Sequence, residues 1–295
     1  MPYDSWKTET TVALKDNIST FSQLSIKNSV YSIHLFDTVS STMDKAKELA
    51  HNNAGHFSVV VAKNQTKGRG RLNRTWVSER GGLWFTIILR PKLLPQFAFQ
   101  VNFAASLALA KTLKQKYGLG VSVKWPNDIL FRDKKLAGLL SEMATDGDGI
   151  SFVNIGIGIN VNNNPEIDQP NAVSIKNCLS RDLGVKICEM DLLYSFLDCF
   201  ENHLNQINIK SIREQSALQP DDTHQYLQAG FKSLMDNWKQ LTSTIGRNVR
   251  IETFGDVYEG VAVDVDEKGG LIIRDKEGNT KRVIYGDCFY QETKF

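Results

Sequence analysis

The chain has 295 residues, which is enough for about two domains at a typical ~150 residues each. Hydrophobic residues make up 41% of it and charged residues 23%, values that exclude collagen-like, coiled-coil and disordered classes of protein. Lys and Arg number 35 against 33 Asp and Glu, so the net charge of +2 gives no general reason to expect nucleic acid or an anionic membrane as a partner.

No segment is typical of a membrane span, because the longest apolar stretch, residues 97–110, is broken by polar residues and falls short of the ~20 residues required. The first residues carry charge and lead into no apolar run, so we expect no secretory signal, and the cytoplasm is the expected compartment. The four cysteines lack metal-ligand spacing, and we expect neither a zinc site nor a disulfide framework.

The hydrophobic pattern predicts three parts. Residues 1–30 are polar and weakly periodic, and we expect an extension there, because about thirty residues cannot close a core of their own. Residues 31–245 form the expected main domain. Apolar and polar residues alternate within 246–295, which predicts a small all-β barrel domain of about fifty residues.

Within the main domain, strands and helices are predicted in chain order from the periods of the apolar residues. Strands are expected over 31–36, 57–62, 82–89, 121–125, 129–131, 136–143 and 150–161. Helices are expected after a cap at Ser41, over 97–117 up to Gly118, over 189–207 and over 226–241. Residues 162–186 are expected to form a long loop, and the small domain is expected to have strands over 249–253, 257–265, 271–274 and 282–285.

The most unusual segment is basic. Residues 57–78 contain five Lys or Arg residues and no Asp or Glu. Since the whole chain has a net charge of +2, the rest of the chain has a net charge of −3. Gly68 and Gly70 alternate with the cations, so backbone amides and guanidinium groups can together hold the oxygens of a phosphate or carboxylate. A solvated surface loop and a nucleic-acid contact are the alternatives for this basic segment, defined as residues 63–74.

A second pattern, over residues 154–161, alternates Ile with Gly and Asn, and we call it the glycine strand. A strand with this period places its isoleucines on one face and its Asn and Gly residues on the other. The second face consists of Asn154, Gly156, Gly158 and Asn160. Glycines at alternate positions favour close approach of a flat ligand, with tight sheet packing as the alternative. The Asn side chains favour a polar ligand such as a ribose or a base.

Two shorter motifs lie between these patterns. Residues 124–128 read K-W-P-N-D, which places Asn127 and Asp128 after a strand, where they can hold Mg²⁺, order a ligand or form an Asx turn. Residues 135–138 read K-L-A-G, which places Lys135 beside small residues, as a ligand contact or as an ordinary solvated lysine.

The sequence contains no phosphate-binding P-loop, no dinucleotide-binding G-x-G-x-x-G after a strand and no G-x-S-x-G nucleophile motif. It does contain a cluster of positive charges in the basic segment, and glycines in the basic segment and the glycine strand that leave the backbone uncovered by side chains. This combination suits chemistry on an anionic group that the protein positions and stabilises electrostatically, without a covalent nucleophile.

Together the motifs resemble the catalytic domain of biotin–protein ligases. The resemblance rests on residues 68–71 (G-R-G-R) with Trp76, the K-W-P-N-D and K-L-A-G motifs, and residues 156–160 (G-I-G-I-N), in that order and spacing. It covers about residues 31–163, and the last fifty residues resemble the small β-barrel of the family. It implies an α+β fold, in which a mixed sheet is flanked by helices and followed by a small C-terminal all-β barrel.

The resemblance also implies an activity. Such ligases join the carboxylate of biotin to the α-phosphate of ATP, with Mg²⁺, and pass biotin from biotinyl-adenylate to a lysine of a biotin carboxyl carrier protein domain. Bacterial members that repress transcription carry a DNA-binding domain, for which residues 1–30 are too short, so a ligase without DNA binding is expected. No membrane partner is expected, and a homodimer is compatible with the sequence.

Roles for individual residues follow from the resemblance, motif by motif. The biotin-binding residues would be Ser41, Thr42, Met43, Gln65, Arg69, Gly70, Arg71, Lys135 and Gly138. The nucleotide-binding residues would be Arg71, Trp76, Asn127, Asp128, Lys135 and Asn160. The catalytic residues would be Arg69, Arg71 and Lys135, which would neutralise the two reacting anions. Asp128 would attract a metal ion or the incoming lysine.

Two positions depart from the family pattern. Met43 stands where many members have Asn after the Ser-Thr pair, so one polar contact to biotin is expected to be absent or replaced. Asn73 stands where many members have Gly, which is expected to stiffen the far end of the basic segment.

Two other functions remain open at this stage. A lipoyl or octanoyl attachment enzyme would share the same catalytic architecture, and competition between biotin and lipoate would separate it from a biotin ligase. A nucleic-acid-binding protein would use the basic segment, and its binding would depend on salt and not on biotin.

Overall fold

The computed structural model describes residues 8–9, 20–26, 29–147, 149–167, 169–179, 186–207 and 223–291. The strands of the main sheet are β1 (Thr8–Glu9), β2 (Thr20–Ile26), β3 (Ser29–Val39), β4 (Ser58–Gln65), β5 (Leu83–Leu89), β6 (Ser122–Lys124), β7 (Asp128–Phe131), β8 (Lys134–Asp146) and β9 (Gly149–Ile159). Their spatial order is β1-β2-β3-β4-β5-β9-β8-β7-β6. The β3–β4 pair is parallel and the other described pairs are antiparallel, which makes the sheet mixed, as expected.

Helices cover both faces of this sheet. They are α1 (Thr42–His51), α2 (Phe99–Tyr117), α3 (Ile175–Cys178), α4 (Glu189–Ile207) and α5 (Thr223–Leu241). Helix α1 packs against β4, β5 and β9 over one small core, whereas α2, α4 and α5 share the larger core on the other face. Across the described residues, no helix has the length and apolarity needed to cross a membrane.

Alternation along β9 separates the two faces as the sequence predicts. Ile155, Ile157 and Ile159 are buried in the larger core, under the long helices. Residues of even number on the same strand therefore point toward the α1 side, where Phe152 joins the small core. The bare face of the glycine strand thus lies on the side where α1 begins.

The first turn of α1 is fixed by its cap. Ser41 has extended backbone angles, and its hydroxyl oxygen accepts a hydrogen bond from the N–H of Met43, which confirms the predicted cap. Ala46 and Ala50 are fully buried, and such small residues let the helix approach the sheet closely. At the other end of α1, the Arg90 guanidinium donates to the carbonyls of Ala50 and Ala54 at 2.8 and 3.0 Å.

A second sheet follows the main domain. Its strands are β10 (Asn248–Glu252), β11 (Val257–Val265), β12 (Leu271–Arg274), β13 (Thr280–Val283) and β14 (Asp287–Tyr290). The order is β13-β12-β11-β10-β14 and all described pairs are antiparallel. The buried indole of Trp125 donates to the carbonyl of Gly269 at 3.0 Å, and its backbone N–H donates to Thr244 at 2.9 Å. The two sheets consequently share one continuous core.

The structure differs from the sequence-based expectations in three places. Residues 20–26, expected in an extension, form β2 of the main sheet, because Leu24 and Ile26 are buried in its core. The expected loop over 162–186 contains a 3₁₀ turn at Pro165–Ile167 and helix α3 capped by Ser174, while residues 180–185 lie outside the described part. The small C-terminal all-β domain is present as expected, as a five-stranded antiparallel sheet, but the pattern did not reveal its last strand, Asp287–Tyr290.

Helix α2 ends where Gly118 adopts a left-handed conformation with φ of 68°. We expect Gly118→Ala to lower the free energy of unfolding by about 1 kcal/mol, since a Cβ disfavours this conformation even where space is open. Gly120→Ala is the matched control, because it also faces open space but has no positive φ. Urea unfolding of both variants checks the expectation, and equal stability of the two would contradict it.

Candidate active site

A cavity of about 1050 Å³ opens on the α1 side of the main sheet and reaches the C-terminal sheet. Small-molecule pockets usually measure about 300–1,000 Å³, so this cavity has room for two small ligands side by side. The predicted site residues that line it are Ser41, Thr42, Met43, Gln65, Arg69, Gly70, Arg71, Trp76, Asn127, Asp128, Lys135 and Gly138. Four separate stretches of the sequence therefore meet in one place.

At the α1 end of the cavity, the polar side chains are hydrogen-bonded to one another. The Gln65 Oε1 atom accepts from the backbone N–H of Thr42 at 2.7 Å and from its hydroxyl at 3.0 Å. The Gln65 amide nitrogen donates to the Ser78 hydroxyl at 2.8 Å, and the Thr86 hydroxyl donates to Thr42 at 2.9 Å. This network fixes the orientation of amide and hydroxyl groups that suit a neutral polar ligand group.

Two side chains cover the bare backbone of the glycine strand. A Cβ atom added at Gly158 would lie only 2.5 Å from Nε1 of Trp76, and one at Gly138 would lie 3.2 Å from the same indole. At Gly156, an added Cβ would lie 2.7 Å from the sulfur of Met43. The glycines thus permit a close approach, as predicted, and in this structure the approaching groups are the indole and the thioether.

Lys135 is held at the centre of the cavity. Its Nζ atom lies 2.8 Å from Oδ1 of Asp128 and 4.9 Å from the ring centre of Trp76, a distance typical of a cation–π contact. Its backbone N–H donates to the carbonyl of Asn171, and its carbonyl accepts from Val173. The segment after β9 therefore fixes the lysine backbone, a contact that no motif in the sequence indicates.

Arg71 reaches the cavity from the basic segment as a largely buried cation. Its Nη1 atom donates to Oδ1 of Asn127 at 3.2 Å. Burial lowers the pKa of Arg71 from its usual value, while the nearby carboxylates of Asp287 and Asp128 act in the opposite direction. Since an arginine starts from a very high pKa, the guanidinium remains charged at neutral pH and can hold an anionic ligand.

Arg69 is engaged by carboxylates of the protein. Its guanidinium lies 2.6 Å from Asp44 of α1 and 3.2 Å from Glu142 of β8. These two ion pairs connect the basic segment to the helix and to the sheet. The next residue of the segment after Arg71, Leu72, has a left-handed backbone with φ of 50°, which turns the chain back. The expectation that Asn73 stiffens the far end of the basic segment stays a prediction, because the Asn73 side chain lies outside the described part of the structure.

The C-terminal sheet contributes one wall of the cavity, which sequence analysis missed. Its lining residues are Gly246, Arg247, Asn248, Asp287, Cys288, Phe289, Tyr290 and Gln291. Arg74 of the basic segment forms an ion pair with Asp287 at 2.7 Å and lies over the ring of Phe289. No local pattern could have indicated this pairing, because the two charges lie far apart in the sequence.

The cavity wall does not offer an activated thiol. Burial raises the pKa of Cys288 to about 12, so this thiol remains protonated at neutral pH and is a poor nucleophile. Burial likewise raises the pKa of Tyr290 to about 12, and its hydroxyl is hydrogen-bonded to Ser243 and Thr244.

Asn160 lies outside the cavity, where its side-chain oxygen accepts from Asn163 at 3.0 Å, beside a small depression that also touches Trp76. In the described ranges, no group of three or more His, Cys, Asp or Glu residues is arranged to hold a metal ion. Asp128, the metal candidate, is paired with Lys135.

Comparisons with known proteins agree with this geometry. Residues 35–162 match the biotin/lipoate A/B protein ligase family, and residues 244–290 match the biotin protein ligase C-terminal domain. The chain is 36% identical to the bifunctional ligase/repressor BirA of Bacillus subtilis, over 87% of this chain and 74% of that protein. It is 29% identical to the biotin–[acetyl-CoA-carboxylase] ligase of Paracoccus denitrificans, over 81% of this chain and 92% of that protein.

A solved structure shows the same fold. The biotin protein ligase from Aquifex aeolicus, in complex with biotin and ATP, superposes with a TM-score of 0.68 at 27% identity, covering 88% of this chain and 99% of the other. The shared fold, the two family matches and the identity to the Bacillus protein lead to one assignment: the chain belongs to the biotin protein ligase family.

Proposed function

We propose that this protein is an ATP-dependent ligase that activates biotin to biotinyl-5′-AMP and transfers biotin to a lysine of a biotin carboxyl carrier protein domain. One observation supports the proposal above all: the guanidinium groups of the basic segment and the bare glycine strand line the same cavity. The Aquifex relative, solved with biotin and ATP, supports both substrates. The name of the Paracoccus relative supports the carrier domain of acetyl-CoA carboxylase, or of another biotin-dependent carboxylase, as the partner.

In the first step, a biotin carboxylate oxygen attacks the α-phosphorus of ATP, the bond to pyrophosphate breaks, and a mixed anhydride forms. Two unit charges 4 Å apart repel each other by about 4 kcal/mol at an effective dielectric constant of 20, so the step requires nearby cations. Lys135 and Arg71 supply two positive charges on the cavity wall. Their fixed positions stabilise the developing charge without reorganisation.

In the second step, the amine of the carrier lysine attacks the carbonyl carbon of the anhydride, AMP leaves, and the amine loses a proton. Asp128 lines the cavity beside Lys135, so its carboxylate can attract the incoming lysine. Mg²⁺ would accompany the phosphates of ATP and neutralise part of their charge, with the Asp128 carboxylate as the candidate group to hold it.

Two observations favour this proposal over the alternatives. The match of residues 244–290 is to a domain of biotin protein ligases, which favours biotin over lipoate or octanoate. Much of the charge of the basic segment is paired within the protein, because Lys63, Arg69 and Arg74 form ion pairs with its own carboxylates. Such a segment offers little free charge to a nucleic-acid backbone.

The direct test incubates the full chain with ATP, biotin and an apo carrier domain and detects attached biotin on an avidin blot. We expect label that depends on ATP, and in thermal-shift measurements we expect biotin to stabilise the protein more than lipoate does. Absence of label transfer would refute the proposal. Stronger stabilisation by lipoate would indicate the lipoyl branch of the family.

Replacing Lys135 tests the electrostatic role. We expect Lys135→Ala to lower the rate of adenylate formation by ~10²–10³, the loss typical of one transition-state donor, while the fold is retained. Lys134→Ala, which removes an exposed neighbouring cation, is the control and should keep the normal rate. Release of pyrophosphate measures both, and an unchanged rate for the Lys135 variant would exclude the role.

Replacing Arg71 tests recognition of the intermediate. We expect Arg71→Gly to shorten the lifetime of bound adenylate by about 10–100-fold, because a charge-assisted contact to its phosphate is lost. Biotin itself lacks that phosphate, so its Kd should change less. Single-turnover measurements with Lys67→Gly, an exposed cation of the same segment, provide the control. A normal lifetime in the Arg71 variant would contradict this role.

A further inference from the structure

Asn154 is a buried polar residue that the known contacts do not explain. Its side chain is fully buried in β9, and neither its amide oxygen nor its amide nitrogen has a hydrogen-bonding partner among the described residues. A buried amide normally has partners, because leaving one unpaired destabilises the folded protein. A buried amide without a partner indicates that a bound molecule supplies the hydrogen bonds that the described residues do not.

Asn154 lies next to the polar end of the cavity. It precedes Gly156 by two residues and is therefore on the same face of β9. Gly156 lies opposite Thr86 in the sheet, and the Thr86 hydroxyl belongs to the network that includes Thr42 and Gln65. On the same face of β9, the unpaired Asn154 amide is the next side chain after Gly156. It therefore lies beside the hydrogen-bonded network at the α1 end of the cavity.

Met43 covers this part of the strand. Its sulfur lies 2.7 Å from the position of a Cβ atom on Gly156, and the side chain is almost fully buried. A thioether cannot donate a hydrogen bond and accepts one only weakly, so Met43 makes no strong polar contact with a ligand here. Methionine is flexible, with three rotatable bonds, so it can move aside for a ligand.

We propose that Asn154 binds the ureido head of biotin and replaces the polar contact that Met43 cannot make. The inference rests on the proposed biotin ligase function and deepens it. A urea group has N–H donors and a carbonyl acceptor, which match the Oδ1 acceptor and Nδ2 donors of a single Asn. Biotin displaces the Met43 side chain from Gly156 and thereby reaches the Asn154 amide on the strand below it.

The test is Asn154→Leu, which removes the amide while nearly preserving the shape of the side chain. We expect the melting temperature of the ligand-free protein to rise by about 2–4 °C, because an unpaired buried amide is lost. We also expect the Kd for biotin, measured by calorimetry, to increase by about tenfold or more. A purely structural Asn154 would give the opposite result, with a lower melting temperature and an unchanged Kd.

Three further measurements make the test decisive. Met43→Asn in the Asn154→Leu background should recover most of the affinity for biotin. Any binding of lipoate, which has no urea group, should be the same in wild type and Asn154→Leu. If Asn154→Leu does not fold, Asn154→Ser replaces it in the Kd measurement. A Kd within twofold of wild type would overturn the inference alone, whereas a wild-type chain that does not bind biotin would overturn the proposed function.

Discussion

The contact of the Trp76 indole with the glycine positions of β8 and β9 determines the arrangement of the cavity. Because Gly138 and Gly158 lack side chains, the indole can lie against both strands, and an added Cβ at either position would displace it. Lys135 then lies over the ring, so the same indole positions the central cation. Gly68 meets a similar limit, since a Cβ there would collide with the carbonyl of Trp76. Gly68 of the basic segment is thereby packed against the backbone of Trp76, whose indole lies against the sheet.

The C-terminal sheet completes this arrangement. Trp125, in the K-W-P-N-D motif, donates to the carbonyl of Gly269 and anchors the second sheet on the first. Asp287 of that sheet pairs with Arg74, and Arg247 lies over Tyr290 while it pairs with Asp133 of the main domain. The two regions matched by separate family models therefore form one functional unit, in which removal of the second region would open a wall of the cavity.

The elements that depend on local patterns were predictable from the sequence, and those that depend on distant contacts were not. The Ser41 cap, the end of α2 at Gly118 and the alternation of β9 follow from a few neighbouring residues, and the structure confirms them. The sequence also indicated a close approach at the glycine strand, but not that Trp76 and Met43 would make it. Residues 20–26 gave only a weak pattern, because pairing with β3 and burial in the larger core, rather than local periodicity, define that strand.

The ion pairs of the cavity also connect the two proposed steps. In the structure, Lys135 is paired with Asp128, and Arg74 is paired with Asp287, so each cation already has an anionic partner. An anionic ligand that approaches Lys135 takes the place of the Asp128 carboxylate beside the ammonium group. Because Lys135 is already paired, the exchange requires little additional desolvation of the cation. The same exchange releases the Asp128 carboxylate beside the newly formed anhydride. In the proposed function, a free carboxylate at that position would attract the positively charged carrier lysine, so formation of the intermediate would prepare the site for the acceptor.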